Sequence, residues 1–538
     1  MTQRQIRFYA IAIGLLLLAL FLRLPRFTAA LEYDEIWTLE SYASKSVMHI
    51  FSELDLPNNH PINSLAVKLT PFSENSPYWI RLFPLLAGLG AVWLAWVVGF
   101  GIYKRRSAAL WCMFFMATLP GAFFYSQQAR GYSFQLCFLL LFTAGLFCVD
   151  RRPGLGALGI LLGGVGAMLS LPTSAIYLGG IGSFALFCCR KEWKRHLLGG
   201  IMLVITGILA LVWVAINFNA YQANRVWGFP IDSLPRLGEF LVTLLKATVS
   251  PEIAALSIIS IVLVPKRGAA ILWIFSLAVV TAIAFNAGPE RTYLPLAGAF
   301  ALLAGGGAAE LCRKLPRYKR FMSIFLIGWS LIEAFGAYSQ PFLDWNRIHR
   351  LVRDLPPEML VVVGANDSYP IAYNNAPEAY RDQLRRLAPL PKERQRLLLT
   401  LDRKNHNTLN GCNIQGNETE LVLNISGRPI DFDVLHGNLY GLEELHQAPN
   451  PGDTVIAFIR PFPEAEAKNL QAMFAMLDGF LTLNVWLCPS VTENGVKYRY
   501  YLLSAKVEQP EKMDWKGFLN KKPGATALFK VIPLEKTK

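Results

Sequence analysis

The chain has 538 residues, of which 53% are hydrophobic and 17% are charged, a composition that excludes an ordinary soluble domain and indicates an integral membrane protein. Its net charge of +14 does not indicate a nucleic-acid-binding protein. The surplus lies in the apolar part, since residues 1–338 hold 28 Lys and Arg against 15 Asp and Glu, and the remainder holds 24 against 23.

Apolar stretches fill the first 338 residues, and most have about the length, roughly 17 to 25 residues, that a helix needs to cross a bilayer. Eleven are found, near 8–24, 82–103, 107–124, 133–149, 155–171, 174–189, 197–217, 252–264, 269–285, 293–311 and 321–338. The stretch RLGEFLVTLLKATVSPEI, which precedes the short eighth one, is ambiguous and also fits a re-entrant or interfacial helix. The sequence predicts a polytopic α-helical membrane protein.

Basic residues predict the orientation of these spans, because short loops rich in Lys and Arg stay in the cytoplasm. Arg4 and Arg7 precede the first span, and basic clusters follow the second, fourth, sixth, eighth and tenth. We therefore expect a cytoplasmic N-terminus and, after an odd number of spans, an external C-terminal region. The expected location is the cytoplasmic membrane of a bacterium. The alternative for residues 1–30 is a cleavable signal peptide, although the first span is slightly long for one.

Residues 339–538 differ in composition from the apolar first 338 residues. Segments such as DTVIAFIRPF, FLTLNVWLCP and YRYYLLSA are rich in β-branched and aromatic residues, whereas EAEAKNLQAMFAMLDGF has helical spacing. These patterns predict an extracytoplasmic α/β domain. It contains Cys412 and Cys488, for which one disulfide and two buried free thiols are both open interpretations.

Seven of the 15 acidic residues of the membrane part lie in one predicted outer loop, residues 25–81. Asp34 and Glu35 stand near its start. The following segment, LESYASKSVMHIFSEL, carries an apolar stripe and predicts a helix lying flat in the membrane surface. Such a helix would hold the acid pair near the lipid headgroups, where a partly buried carboxylate can act as a general base toward a hydroxyl. The alternative is that these acids are solvated charges at the interface.

Several cations stand on the same predicted side of the membrane. Arg130 is the only charged residue between the third and fourth spans, Arg291 follows the ninth, and Arg81 opens the second. An ionisable residue in such a place is a functional candidate by default, and the alternative is an arginine that snorkels to the interface. An acid pair with several isolated cations is typical of a site for a hydroxyl acceptor and a phosphate leaving group.

These motifs together resemble those of the GT-C glycosyltransferases, in particular the protein mannosyltransferase and lipid A aminoarabinose transferase branch. The motifs are the acid pair, the His-Pro sequence at His60, the Arg-Leu at Arg81, SQQARGYS around Arg130 and ERTYLPLAG around Arg291. The resemblance covers residues 1–338 and implies the GT-C fold there. The C-terminal domain, residues 339–538, shows no shared motif.

The resemblance also implies roles for these residues. Asp34 matches the catalytic acid that deprotonates the acceptor, and Glu35 is its companion, which orients the acceptor or a divalent metal. His60 stands where the aminoarabinose enzymes carry Lys-Pro, so a phosphate contact by His60 would depend on its protonation. Arg130 and Arg291 are the better phosphate ligands, because a guanidinium stays charged and binds two oxygens. The other residues expected at the donor phosphate are Arg81, Tyr132 and Tyr293.

The predicted activity is an inverting transfer of a sugar from a polyprenyl-phosphate donor to a hydroxyl of a lipid, glycan or protein on the outer face. The donor is already activated, so no nucleotide cofactor is expected, and the chain has no Walker-type or dinucleotide glycine motif. Two other classes stay open. A transporter or flippase would typically carry charges inside its spans and internal repeats. In a membrane-anchored receptor or assembly protein, the acid pair would have no catalytic role.

Overall fold

The structure is a computed structural model. The residues that it describes are 2–52, 59–71, 77–189, 196–219, 231–248, 250–263, 279, 290–339, 430–433, 439–444, 448, 450–463, 484–487, 491–493, 496–506 and 526–533. The chain divides into two compact units, one formed by Met1–Ala29 with Trp37–Gln340 and the other by Ala30–Ile36 with Pro341–Lys538. Each is described by itself below.

The first unit is built from helices. Their bounds are α1 Gln3–Phe21, α2 Tyr33–Thr38 (which begins in the second unit), α3 Val47–Ser52, α4 Pro61–Lys68, α5 Tyr78–Tyr103, α6 Arg106–Thr118, α7 Pro120–Tyr125, α8 Tyr132–Cys148, α9 Pro153–Ser170, α10 Ser174–Cys189, α11 Leu197–Ile216, α12 Leu234–Thr248, α13 Pro251–Leu263, α14 Leu294–Lys314 and α15 Lys319–Ser339. The ambiguous segment before the eighth span forms α12.

Within the described residues, five helical segments are long and apolar enough to cross a membrane. They are Tyr78–Tyr103, Pro153–Ser170, Leu197–Ile216, Arg291–Lys314 and Pro316–Ala337. Shorter apolar helices lie at the first, fourth, sixth and eighth predicted spans. The ninth predicted span, residues 269–285, lies outside the described residues. The helical membrane character of this unit is therefore confirmed, whereas the count of eleven spans stays a prediction.

Helix α14 lies at the centre of this unit. Of the apolar window in Arg291–Lys314, 83% is buried, against 17% in the windows of α11 and α15. Its glycines allow this close packing: a Cβ added to Gly305 would lie 2.5 Å from the backbone nitrogen of Cys112 in α6. Small residues let helix backbones approach in a membrane, where dispersion contacts replace the hydrophobic effect. The outward faces of α11 and α15 carry exposed leucine, isoleucine and phenylalanine side chains.

Helices α8 and α9 also pack backbone to backbone. A Cβ on Gly163 would lie 2.3 Å from the backbone nitrogen of Phe142, and one on Gly145 would lie 2.6 Å from that of Ile160. These contacts involve backbone atoms. Unlike the end of a side chain, such atoms cannot move away by rotation about a single bond. The register of α8 on α9 therefore depends on glycine at both positions, and this register fixes the ends of the two helices that meet at the site below.

Replacing Gly163 by Leu should destabilise the protein, because the helices must separate to admit the side chain. Overpacking of this kind costs about 1 to 3 kcal/mol, and occasionally more. Gly154→Leu is the matched control, since a Cβ at Gly154 in the same helix meets no atom within 4 Å. Melting temperatures in detergent compare the two variants, and equal melting would show that the packing against α8 is not tight.

The basic ends of α5, α6 and α14 meet away from the site described below. Arg105 donates a hydrogen bond to a carboxylate oxygen of Glu310 at 2.9 Å, and Arg313 also pairs with this carboxylate. Glu310 thus joins two cations of the predicted cytoplasmic junctions, which gives these charges a structural role in addition to their predicted role in topology.

The prediction of one continuous amphipathic helix after the acid pair is wrong, because this segment is interrupted. Residues Leu39–Ala43 form a π-helical turn, a break follows at Ser44, and α3 begins at Val47. Of the apolar stripe, Ala43 and Ile50 are buried, whereas Val47 is 48% exposed. The stripe is therefore only partly buried, and it is divided between two short segments.

The described part of the second unit contains an antiparallel sheet. Its strands are β1 Ile430–Asp433, β2 Leu439–Glu444, β3 Thr454–Pro463, β4 Asn484–Leu487, β5 Val491–Glu493, β6 Val496–Lys506 and β7 Thr526–Pro533. The order is β1-β2-β7-β3-β6-β4, with β5 also paired to β6, and the β3–β6 register shifts between Ile459 and Phe462. The turn that leads into β3 has Gly452 at a φ of 86°, which glycine adopts without strain.

The strands predicted from DTVIAFIRPF, FLTLNVWLCP and YRYYLLSA are present as β3, β4 and β6. The helix predicted over residues 464–480 lies outside the described residues, so the α/β class of this domain stays a prediction. Cys412 and Cys488 also lie outside them, and their disulfide stays a prediction for the same reason.

Candidate active site

The start of α4, the segment between α7 and α8 and the end of α9 meet at one place in the first unit. The side-chain Nδ2 of Asn63 in α4 donates to the carbonyl oxygen of Ala129 at 2.7 Å, and Nδ1 of His60 contacts that of Ser170 at 3.1 Å. Gly131 allows this approach, because a Cβ there would lie 2.4 Å from the Ser170 oxygen and 2.9 Å from His60. The QARGY motif and the His-Pro motif are therefore neighbours in space.

Arg130 lies inside this cluster, with 2% of its surface exposed. Its Nη2 donates to the hydroxyl of Tyr132 at 3.5 Å, and its guanidinium carbon lies 5.6 Å from the centroid of the same ring. A snorkelling arginine keeps its charged end in water. The interface-anchor interpretation is therefore wrong for Arg130, which presents its charge to a buried polar and aromatic site.

His60 stacks edge-on against Tyr132, with 5.5 Å between ring centroids, and is 1% exposed. A carbonyl oxygen only accepts hydrogen bonds, so the contact with Ser170 places the ring proton on Nδ1. Nε2 then carries a lone pair, and it is buried with no hydrogen-bond partner among the described residues. Burial, together with the nearby charges of Arg130 and Arg291, lowers the pKa of His60 well below its usual value.

His60 is therefore neutral at physiological pH. The sequence expectation that it binds phosphate required a protonated ring, and the neutral ring offers a lone pair at Nε2 where a phosphate ligand would offer a proton. His60 lies in this cluster, and a role for it in donor binding stays a prediction. Its burial, and after that the charges of Arg130 and Arg291, keep the ring neutral.

The buried neutral His60 should make the protein sensitive to acid. Its pKa is lower in the folded chain than in the unfolded chain, so between these two values the unfolded chain binds more protons and stability falls as the pH falls. We expect the melting temperature to drop from pH 7 to pH 5 more in the wild type than in His60→Gln, which has no titrating ring. An equal decrease in melting temperature in the two proteins would show that the pKa of His60 is the same in the folded and the unfolded chain.

Arg291 belongs to the same cluster. It lies in the short 3₁₀ turn Glu290–Tyr293 that leads into α14, it is partly buried, and it is close enough to His60 to lower the pKa of that ring. The hydroxyl of Tyr177 donates to the carbonyl oxygen of Thr292 at 3.1 Å and so anchors the turn. The ring of Tyr293 is buried and packs edge-on against Phe240, with 5.6 Å between centroids.

Arg81 has a different environment. Its Nη1 donates to the backbone carbonyl oxygens of Arg26, Phe27 and Ala29, at 2.9, 3.2 and 2.6 Å. The side chain is 2% exposed. Arg81 therefore orders the turn that precedes the acid pair in the chain, and a contact with the donor phosphate stays a prediction for it.

Two further buried polar residues lie at this end of the first unit, and the sequence analysis did not single out one of them, Arg23. Arg23, just after α1, is fully buried and donates to the carbonyl oxygens of Ala19 and Ala117, at 2.9 and 3.2 Å. Gln127 accepts a hydrogen bond from the backbone of Arg26 at 3.0 Å. The available signal was a charged residue directly after the apolar segment FYAIAIGLLLLALFL, which is otherwise typical of a membrane boundary.

Asp34 and Glu35 belong to the second unit, in the first turn of α2. A carboxylate oxygen of Glu35 accepts a hydrogen bond from the backbone nitrogen of Glu32 at 3.0 Å. This is one half of a capping box, so Glu35 stabilises the start of the helix. Asp34, one residue earlier, is partly buried. Among the described residues, no group of three or more His, Cys, Asp and Glu has a metal-site arrangement, and the divalent metal stays a prediction.

No protein-family model and no curated protein matches the chain. Among solved structures, ArnT from Cupriavidus metallidurans in the apo state is 11% identical with a TM-score of 0.44, covering 93% of this chain and 97% of that one. The same protein bound to undecaprenyl phosphate is 13% identical with a TM-score of 0.43, covering 94% and 98%.

A third match is the Archaeoglobus fulgidus oligosaccharyltransferase in complex with zinc and sulfate, at 13% identity and a TM-score of 0.44. This match covers 65% of the present chain, which spans 56% of the archaeal protein.

Proposed function

We propose that the protein is an inverting glycosyltransferase that moves a sugar from a polyprenyl-phosphate donor to a hydroxyl acceptor on the outer face of the membrane. The observation that carries this proposal is the buried polar cluster in which the guanidinium of Arg130, 2% exposed, lies against Tyr132 and Tyr132 packs edge-on against His60. Two guanidinium groups in a partly dehydrated place suit an anionic ligand, because each presents a planar fork that matches two oxygens of a phosphate.

The membrane setting favours a phosphate that is attached to a lipid. The cluster includes residues at the ends of three apolar helical segments, Tyr132–Cys148, Pro153–Ser170 and Arg291–Lys314. A ligand with a long hydrocarbon chain suits such a position, because the chain would stay in lipid. A sugar joined to such a lipid by phosphate is chemically activated, since the lipid phosphate is a good leaving group. The arginines would stabilise the charge that grows on this phosphate as the bond to the sugar breaks.

Asp34 is the proposed general base. It removes the proton from the acceptor hydroxyl, the oxygen attacks the anomeric carbon from the face opposite the phosphate, and the configuration inverts. Glu35 is the proposed companion that orients the acceptor, in addition to capping α2. The partners are the lipid donor and a hydroxyl on a lipid, glycan or protein, and the proposed location is the cytoplasmic membrane of a bacterium with the site outside.

The experiment that tests this proposal is mass spectrometry of the lipids that copurify with the protein in mild detergent. We expect a polyprenyl phosphate, free or carrying a sugar, to be retained by the wild type and reduced in Arg130→Ala. A preparation that retains only bulk phospholipid, in equal amounts in both proteins, would contradict a polyprenyl-phosphate site at Arg130.

A further inference from the structure

Basic side chains from separate segments of the chain meet at one end of the first unit. Lys104, Arg105 and Arg106 follow one another between α5 and α6, and each contacts a different helix. Lys104 lies over an aromatic ring in α8 at 5.5 Å, Arg105 pairs with a carboxylate in α14 at 2.9 Å, and Arg106 lies over a ring in α1 at 5.5 Å; the respective partners are Phe147, Glu310 and Phe8. These contacts fix the three cations in place at the ends of the helices.

The junction between α14 and α15 brings further cations to the same place, because Glu310 pairs with both Arg105 and Arg313. The exposed basic residues of this junction are Arg313, Lys314, Arg317, Lys319 and Arg320. Within residues 104–106 and 310–320, eight residues are basic and Glu310 is the one acidic residue. We call the exposed cations of these two segments the basic surface.

Local backbone structure disfavours several of these cations. Lys104 has a φ of 54°, in the left-handed region that usually holds glycine. Arg106 begins α6, and Lys319 and Arg320 begin α15, where the helix dipole disfavours positive charge. Neither of these helices has an acidic residue in its first turn. The positive charges therefore do not serve the local stability of the helix ends.

Membrane topology explains the sign of these charges, but not the fact that they meet. The bias for basic residues acts on each short loop during insertion and does not require two loops to be neighbours in the folded protein. The surroundings of the basic surface indicate a lipid. Phe321 and Ile324, which follow Arg320 in α15, are 66% and 72% exposed. In a membrane protein such apolar faces contact acyl chains, so the cations at the start of α15 lie near the level of the headgroups.

We infer that the basic surface binds the headgroups of anionic phospholipids in the leaflet at this end of the unit. Clusters of about four to eight Lys and Arg beside a membrane helix are typical of such binding. The phosphodiester oxygens of these lipids accept charge-assisted hydrogen bonds from both kinds of side chain.

This lipid site is separate from the candidate active site and does not depend on the proposed function. The helical segment Arg291–Lys314 has Arg291 at one end and the basic surface at the other. At a rise of 1.5 Å per residue, the two ends are roughly 35 Å apart. A phospholipid at the basic surface therefore cannot occupy the place proposed for the donor phosphate.

Titration of the purified full-length protein with cardiolipin, phosphatidylglycerol and phosphatidylcholine in mild detergent tests the inference. Native mass spectrometry counts the bound lipids and gives their apparent dissociation constants. We expect the two anionic lipids to bind at least about tenfold more tightly than phosphatidylcholine, which corresponds to the effect of one or two basic residues near an anionic surface. Equal affinities for the three lipids would overturn the inference.

A matched pair of double variants locates the effect. Arg317→Gln with Arg320→Gln removes two charges from exposed positions, and Arg317→Lys with Arg320→Lys retains them. We expect the glutamine pair to lower the affinity for phosphatidylglycerol about tenfold and the lysine pair to keep it, with melting temperatures near that of the wild type in both. Unchanged affinity in the glutamine pair would show that these charges serve topology alone and would contradict the inference.

Two single variants complete the test. Lys104→Gly removes a charge and places glycine at a left-handed position, so it should lower the affinity for phosphatidylglycerol several-fold without loss of stability. Arg130→Ala should leave this affinity unchanged, because Arg130 lies in the candidate active site. A loss in Arg130→Ala as large as that in the glutamine pair would place the phospholipid at the candidate active site and would overturn the inference.

Discussion

Asp34→Asn should abolish sugar transfer while leaving donor binding intact. The substitution keeps the shape of the side chain and removes the base, and loss of a general base typically lowers the rate about 100- to 10,000-fold. The measurement is a single-turnover reaction with a saturating lipid donor, which separates the chemical step from binding. The Michaelis constant for the donor should change little, because Asp34 is proposed to act on the acceptor.

Glu32→Gln is the matched control in the same loop. Its backbone nitrogen, not its carboxylate, takes part in the cap of α2, so the helix should keep its start. We expect a rate within a few-fold of the wild type, because Glu32 is not proposed to act on the acceptor. Near-normal turnover in Asp34→Asn, or an equal loss in Glu32→Gln, would remove Asp34 from the mechanism.

Replacement of Arg130 should have the second largest effect, on donor affinity. Hydrogen bonds to a charged group contribute about 1.5 to 3 kcal/mol, equivalent to roughly 10- to 150-fold in affinity. Arg130→Lys keeps the charge but loses the two-pronged geometry, so it should lie between the wild type and Arg130→Ala. The same order is expected for Arg291, and binding of undecaprenyl phosphate measures both series.

Arg105→Ala is the control for general destabilisation. Arg105 pairs with Glu310 at the ends of α6 and α14, away from the cluster. This variant should lower the melting temperature and leave the affinity for undecaprenyl phosphate unchanged. If Arg130→Ala also lowered only the melting temperature, Arg130 would be a structural arginine and the proposed phosphate site would be wrong.

Much of the first unit could be predicted from the sequence because hydrophobicity alone dictates it. The apolar stretches become helices, and their bounds follow the charged residues that interrupt them. Arg130 was selected as a candidate because a single charge between two spans is a functional candidate by default. The structure shows that it is buried, and its contact with phosphate stays a prediction. The helix break after Ala43 could not be predicted, since a π-helical turn and an α-helix share the same apolar stripe over five residues.

The state of His60 depends on contacts that no local pattern contains. Its hydrogen bond to Ser170 joins residues 110 positions apart, and the lowering of its pKa needs Arg130 and Arg291 from two further segments. The capping role of Glu35 is different, because the spacing from Glu32 was visible in the sequence. It was missed because two adjacent acids were interpreted together as a catalytic pair.

The most direct test of the central claim is to follow the fate of the lipid donor itself. The purified protein is mixed with polyprenyl-phosphate sugars extracted from bacterial membranes. One sample also receives an extract of envelope acceptors, and the other does not. The lipids are then separated by chromatography and identified by mass spectrometry. We expect free polyprenyl phosphate to appear only when acceptor is present, and Asp34→Asn to prevent its release. A donor pool that stays unchanged with the wild type and acceptor, although the donor is bound, would contradict a transferase and favour a protein that only binds or moves the lipid.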